Sequence, residues 1–205
     1  MAKNRGGVPL FDINHDKCFI VEKMIDKVTF DHEAGFDFII KDFTRIFKNK
    51  NILSYQYVCQ EKDIEGINKF FSCYENNNKA LKLSENIKKF IDKGYYKKCI
   101  SHGDLYYNNL IFDGEKFYYI DFECVNDHFF VFDILFYIFF ESFRWENDLL
   151  ITNYFNGVYD QQLEDIFKLN AVEYDKELKK TYLFIILFEY YGYKIPIWFA
   201  DKYLL

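Results

Sequence analysis

Apolar residues at Phe36, Ile39, Ile40, Phe43 and Phe47 recur at three- and four-residue steps. That spacing predicts a helix over Phe30 to Phe47 with one face turned into a core, and Thr29 and Asp31 offer helix starts ahead of it. Upstream, Cys18-Phe19-Ile20-Val21 is a strand-favouring run that gives way to a polar connector, Glu22 to Lys27. A second helical pattern covers Ile64 to Tyr74, and the polar run Glu75-Asn76-Asn77-Asn78 reads as a loop. Ser84 is placed to cap a third helix through Ile91, which Gly94 ends.

The period then changes. Lys98-Cys99-Ile100, Asn109-Leu110-Ile111-Phe112 and Phe117-Tyr118-Tyr119-Ile120 are strand candidates, with Asp113-Gly114 a hairpin turn between the last two. From Phe129 onward the pattern is helical. The most apolar stretch, Phe129 to Phe140, is interrupted by Asp133 and is too short to span a bilayer, so it reads as a buried helix. No internal repeat or low-complexity linker interrupts the chain, and the expected organisation is a small β element set among helices.

Composition narrows the function classes. Half of the 205 residues are hydrophobic and 22% are aromatic, with only 2 Pro, which excludes disorder and predicts a large core. A formal charge of -6 and the absence of a dense Lys/Arg block argue against nucleic acid as a partner. The 5 cysteines, Cys18, Cys59, Cys73, Cys99 and Cys124, are odd in number and have no C-x-x-C spacing. Reduced thiols and a cytoplasmic setting are expected from them, and Met1 to Gly7 has no signal-peptide pattern.

The chemistry-bearing stretch is Ile100-Ser101-His102-Gly103-Asp104-Leu105-Tyr106-Tyr107-Asn108-Asn109, followed after the hairpin by Tyr119-Ile120-Asp121-Phe122-Glu123. It fits H-x-D-x-x-x-x-N with a later acidic D-F site. Phosphoryl transfer needs a group beside the nucleophilic hydroxyl and hard oxygen ligands that hold magnesium against the β- and γ-phosphates, because charge placement supplies most of the catalysis. Asp104 has the chemistry for the first task, and Asn109 and Asp121 for the second. His102 is a further catalytic candidate, expected to brace the loop more than to transfer protons. A hairpin through Asp113-Gly114 would return Asp121 to the side of Asn109.

His-Gly-Asp-Leu-x-x-x-Asn followed by Ile-Asp-Phe-Glu resembles the aminoglycoside phosphotransferase and choline kinase-like families, which include lipopolysaccharide-core sugar kinases. The match covers about Ile100 to Asp133. The resemblance implies an α+β, protein kinase-like fold, mostly a helical C-terminal lobe with a small β element. Residues 1–27 would be a remnant of the N-terminal lobe and hinge, and 28–205 the C-terminal lobe with its catalytic loop at 100–123. It also implies Asp104 as the catalytic residue, Asn109 and Asp121 as magnesium ligands, and Asp133 as the structural Asp that ties a helix to the catalytic loop. Phe19 to Asp26 resembles the hinge, where main-chain groups near Lys23 and Ile25 would hold the adenine of ATP or the base of GTP.

The implied acceptor is a hydroxyl of a sugar, an aminoalcohol or a cell-envelope saccharide precursor. Tyr106, Tyr107, Trp145, Tyr190 and Tyr191 are candidates to stack on a sugar ring, and Glu141, Arg144 and Glu146 to meet a polar or cationic group. Gly103, where protein kinases usually carry Arg, and Glu123, in place of the Asp-Phe-Gly glycine, favour a small-molecule acceptor over a protein. About twenty residues precede the hinge-like segment, fewer than a nucleotide-covering lobe needs. A catalytically inactive pseudokinase or a truncated kinase fragment, acting as a binding or regulatory module, is therefore the alternative expectation.

Overall fold

The computed structural model describes residues 10–14, 19–22, 27–50 and 52–205. The hinge-like Lys23 and Ile25, and Cys18, lie outside them. Among the described residues the fold is α+β and mostly helical, with short antiparallel strands. A hairpin of β1 (Leu10–Asn14) and β2 (Phe19–Glu22) comes first. The helix α1 (His32–Lys48) follows, capped by Asp31, whose side chain accepts from the Ala34 N–H at 2.5 Å. The residues picked out by the 3.6-residue period, Phe36, Ile39, Ile40, Phe43 and Phe47, are all buried.

Next come β3 (Tyr55–Gln56), α2 (Glu61–Phe71) and α3 (Asn78–Asp92). The third helix starts six residues before Ser84: Asn77 caps it, its side chain accepting from the Lys79 and Ala80 N–H groups. Buried Ala80 and Leu83 carry the apolar face back toward the polar run that reads as loop, whose last residue, Asn78, begins the helix. Two elements carry little sequence signal. β3 is two residues long, and β7 (Asn126–Phe129) is too polar to show strand alternation. Both pair with β4 (Lys97–Ser101), giving the order β3-β4-β7. Between β4 and β7 the chain makes the hairpin of β5 (Leu110–Phe112) and β6 (Phe117–Tyr119). The Asp113 side chain closes its turn by accepting from the Glu115 and Lys116 N–H groups, each at 2.9 Å.

The helices α4 (Phe132–Trp145), α5 (Leu149–Phe155), α6 (Asp160–Leu169) and α7 (Lys179–Tyr191) complete the body, with short helical turns over Ile197–Phe199 and Ala200–Leu204. Every residue from Phe132 to Phe139 is buried, so α4 has no solvent face along its first two turns. It packs against α1, α5 and α7. Burial of each Phe or Leu there contributes about 2 kcal/mol before entropy is subtracted, which fixes α4 as the post around which the rest is arranged. Among the described residues, no helix is long and apolar enough to cross a membrane.

Further along the same post, Glu141 is completely buried, and His32 Nδ1 lies against its Oε2. Burial drives the Glu141 carboxyl up to about 8, with only a smaller opposing pull from the Tyr107 backbone. Burial also lowers the His32 pKa against the pull of Asp31, so at neutral pH the pair is a protonated acid beside a neutral imidazole. A carboxyl whose folded pKa exceeds its unfolded value binds its proton more tightly in the native state. Its contribution is complete below the unfolded pKa and is lost as pH rises toward the folded one. Wild-type stability should therefore fall relative to Glu141→Gln between about pH 4.5 and pH 8 and run parallel to it above, by about 1.4 kcal/mol per unit at most. Urea denaturation of both proteins across that range checks this, and equal slopes would contradict it.

Candidate functional site

The strand β4 ends at Ser101, and the chain turns sharply through His102, Gly103 and Asp104 into a single 3₁₀ turn, Tyr107–Asn109. The turn is held from below. Asp133, in the first turn of α4 and wholly buried, accepts from the His102 N–H at 2.8 Å and the Gly103 N–H at 3.0 Å. Two charge-assisted bonds to one buried carboxylate fix the direction in which the loop leaves the strand. Gly103 is required there: its φ is +84°, and a Cβ would run into the Cys124 carbonyl oxygen.

His102 completes the brace. Its ring is buried, and Nε2 lies 2.7 Å from the Ile120 carbonyl oxygen, so Nε2 carries the proton and donates. The bond joins this loop to the residue before Asp121. This geometry gives His102 the bracing place expected of it, with its ring near Asp104.

Asp104 and Asn109 are in direct contact. The Asn109 amide nitrogen donates to the Asp104 carbonyl oxygen at 2.7 Å and reaches Asp104 Oδ2 at 3.3 Å. With the nitrogen so engaged, the amide oxygen is the side-chain atom of Asn109 left to accept. The hairpin then returns the chain as expected: Leu110 pairs with Tyr119, and the Ile120 N–H donates to the Asn109 carbonyl at 3.1 Å. Asp121 is the next residue. It is exposed and left-handed, with φ 61° and ψ 65°. A non-glycine residue in that region costs about 1–2 kcal/mol, and such strain concentrates where a side chain must be aimed.

Burial raises the Asp104 carboxyl pKa above the usual range, and the nearby Asp121 and Glu123 charges push in the same direction. His102 and the Asn109 amide partly offset them. Three acidic groups thus share one electrostatic neighbourhood, which favours a bound cation. Asn109 and Asp121 carry oxygens of the hard kind that magnesium prefers, and these two residues would hold it if it binds here. An all-protein cage is not what these residues build: among the described residues no group of three or more His, Cys, Asp or Glu is arranged for a metal.

Of the aromatic candidates, Tyr106 and Tyr190 lie within the field of Asp104. Tyr106 packs on Phe140 at 4.5 Å between ring centroids and Tyr190 on Phe136 at 4.8 Å. Tyr107 stacks on His32 at 4.1 Å, and its hydroxyl donates to the Phe30 carbonyl at 2.9 Å, so it clamps the start of α1 instead of facing the loop. Glu141 is sealed in the core and cannot meet a ligand. Sequence reasoning missed Asn126, His128 and Glu189, which adjoin the loop only because β7 pairs with β4 and α7 packs on β7. No family model, curated protein or solved structure matches the chain.

The loop geometry makes a direct demand on residue 103. Gly103→Ala should lose more than about 2 kcal/mol, because strain and a backbone collision coincide. Gly114→Ala, at φ +98° with only Val28 Cγ2 nearby at 3.7 Å, should lose about 1 kcal/mol. Parallel urea titrations of the two variants measure the difference, and equal losses would show that the Cys124 carbonyl is not a fixed wall.

Proposed function

We propose that this chain is a magnesium-dependent phosphotransferase with the C-terminal-lobe architecture of protein kinase-like small-molecule kinases, moving the γ-phosphate of ATP or GTP to a hydroxyl. The observation that carries the reading is the convergence of Asp104, Asn109 and Asp121 on one edge of the β5–β6 hairpin, with the loop held from behind by Asp133. Supporting it, the residues that the sequence resemblance singles out for different tasks occupy places suited to those tasks. Asp133 and His102 are buried and structural, while Asp104 and Asp121 reach solvent.

In this reading Asp104 orients the acceptor hydroxyl and takes its proton as the oxygen bonds to the γ-phosphorus. The bond from that phosphorus to the β–γ bridging oxygen breaks, and the nucleoside diphosphate leaves. Asn109 holds Asp104 through its amide nitrogen, and its oxygen and the Asp121 carboxylate would hold the metal. Magnesium, when bound, neutralises charge on the phosphates. The rigid backing of the loop matters because catalysis of this kind is positioning plus electrostatics, and a displacement of 1 Å is enough to cost orders of magnitude in rate.

Calorimetry with ATP and GTP in the presence and absence of magnesium, together with phosphate release, tests the proposal. Wild type should bind nucleotide only with magnesium. Asp121→Ala should weaken that binding at least tenfold, and Asp104→Ala should leave it intact while reducing turnover by about 10²–10⁴. Failure of wild type to bind either nucleotide at millimolar concentration would replace the enzyme with a binding module built on the same scaffold.

A further inference from the structure

Glu141 is completely buried on α4, and nothing in the phosphotransfer chemistry uses it. A carboxyl sealed among apolar side chains is costly unless its neighbours serve it. Here the neighbours are two: His32, whose Nδ1 lies against Oε2, and the Tyr107 backbone, which pulls on the carboxyl. Apart from these contacts, His32 Nδ1 and both Glu141 oxygens are without polar partners among the described residues.

Both neighbours lead to the site. His32 opens α1, and its ring stacks on Tyr107 with centroids 4.1 Å apart and planes 19° from parallel. Tyr107 opens the 3₁₀ turn that ends at Asn109, the candidate metal ligand in contact with Asp104. The stack is confined on its outer sides. The Phe30 ring packs on Tyr107 at 4.5 Å, and the Phe30 carbonyl accepts from the Tyr107 hydroxyl at 2.9 Å. Trp145 stands edge-on to His32 at 6.0 Å, and the Tyr137 hydroxyl donates to the His32 carbonyl at 3.2 Å. A displacement of the His32 ring therefore passes to Tyr107, and Asn109 lies two residues further along the same turn.

The pair also has access to protons. Glu141 is out of reach of water, but the His32 side chain is 30% exposed, so a proton can pass between the pair and solvent. With that proton the acid donates to Nδ1 and the contact is neutral. Without it a carboxylate stands in apolar surroundings, and the imidazole must change tautomer or move, or water must enter. The other titratable groups facing the pair are Asp31 beside His32, the Tyr107 and Tyr137 hydroxyls, and Lys27, whose Nζ is 5.5 Å from the Tyr107 ring centre. Burial holds Tyr137 protonated. Among the described residues, α5 and α7 bring no charge that shifts either partner.

We propose that the His32–Glu141 pair is a positioning device that couples the Tyr107–Asn109 turn to pH, holding the turn while the pair keeps its proton and loosening it when the proton is lost. That the turn serves a metal–nucleotide site rests on the phosphotransfer reading above; the coupling itself does not.

NMR on the full chain, without metal or nucleotide, tests the coupling. The amide shifts of Tyr107, Asn108 and Asn109 in wild type should share one inflexion with the His32 ring signals near pH 8, where Glu141 loses its proton, and Glu141→Gln should abolish it. Cys124, whose thiol is pushed upward by burial and by the carboxylates around it, titrates in both proteins and cancels in the comparison. Turn amides without that inflexion, or with one that Glu141→Gln keeps, would overturn the inference, and the wild-type result decides even where the variant does not fold. Calorimetry with magnesium and ATP reads the consequence: wild-type affinity should fall at least about threefold between about pH 7 and pH 9, and that of Glu141→Gln should stay level. Equal falls in the two proteins would overturn the coupling. A turn that titrates as expected in a chain that binds no nucleotide would sink the phosphotransfer reading alone.

Discussion

The buried carboxylate of Asp133 is the constraint from which the rest of the site follows. It sits in the most apolar helix of the chain, where an unpartnered charge would be prohibitive, and it is tolerated because the His102 and Gly103 N–H groups reach it at 2.8 and 3.0 Å. Those two bonds force the chain to turn at Gly103, where a positive φ and the Cys124 carbonyl leave room only for glycine. The turn directs Asp104 outward. His102, drawn inward by the same bonds, reaches the Ile120 carbonyl and so fixes where the returning hairpin must end. One buried charge thereby sets the relative positions of residues 104, 109 and 121, which local structure alone would leave free.

Energetically the arrangement divides into two layers. The lower layer is the hydrophobic post of α4 with α1 and α7 around it, which supplies stability and has no freedom to rearrange without opening cavities. The upper layer holds the candidate functional groups, and it carries the strain: Asp121 in the left-handed region, and Asp104 with its pKa raised by burial and by the Asp121 and Glu123 charges beside it. Strain and gathered like charge are what the phosphotransfer reading proposed above expects of a metal–phosphate site.

Much of this was legible in the sequence, for identifiable reasons. The helical period of Phe36 to Phe47 marks a face that is buried almost to the last residue, and Asp113-Gly114 marks a turn that forms through its own side chain. The site motif is local, spanning Ile100 to Asp133, so its geometry is largely set by a short strand, a turn and a hairpin. Less was legible where position depends on distant pairing. The strand Asn126–Phe129 is polar and is held as a strand by β4. Asn77 displaces Ser84 as the cap because tertiary burial of Ala80 and Leu83 extends α3. The cleft around Glu189 joins residues from Lys62 to Gly192, and no window of sequence contains it.

The central claim is that Asn109 and Asp121 form one metal–nucleotide site because the loop is held by Asp133. Paramagnetic relaxation by manganese bound with ATP, read from backbone amide line widths, tests it most directly. The account predicts selective broadening centred on residues 104, 109 and 121, lost in Asp121→Ala. Broadening centred elsewhere on the chain, or unchanged in that variant, would contradict it.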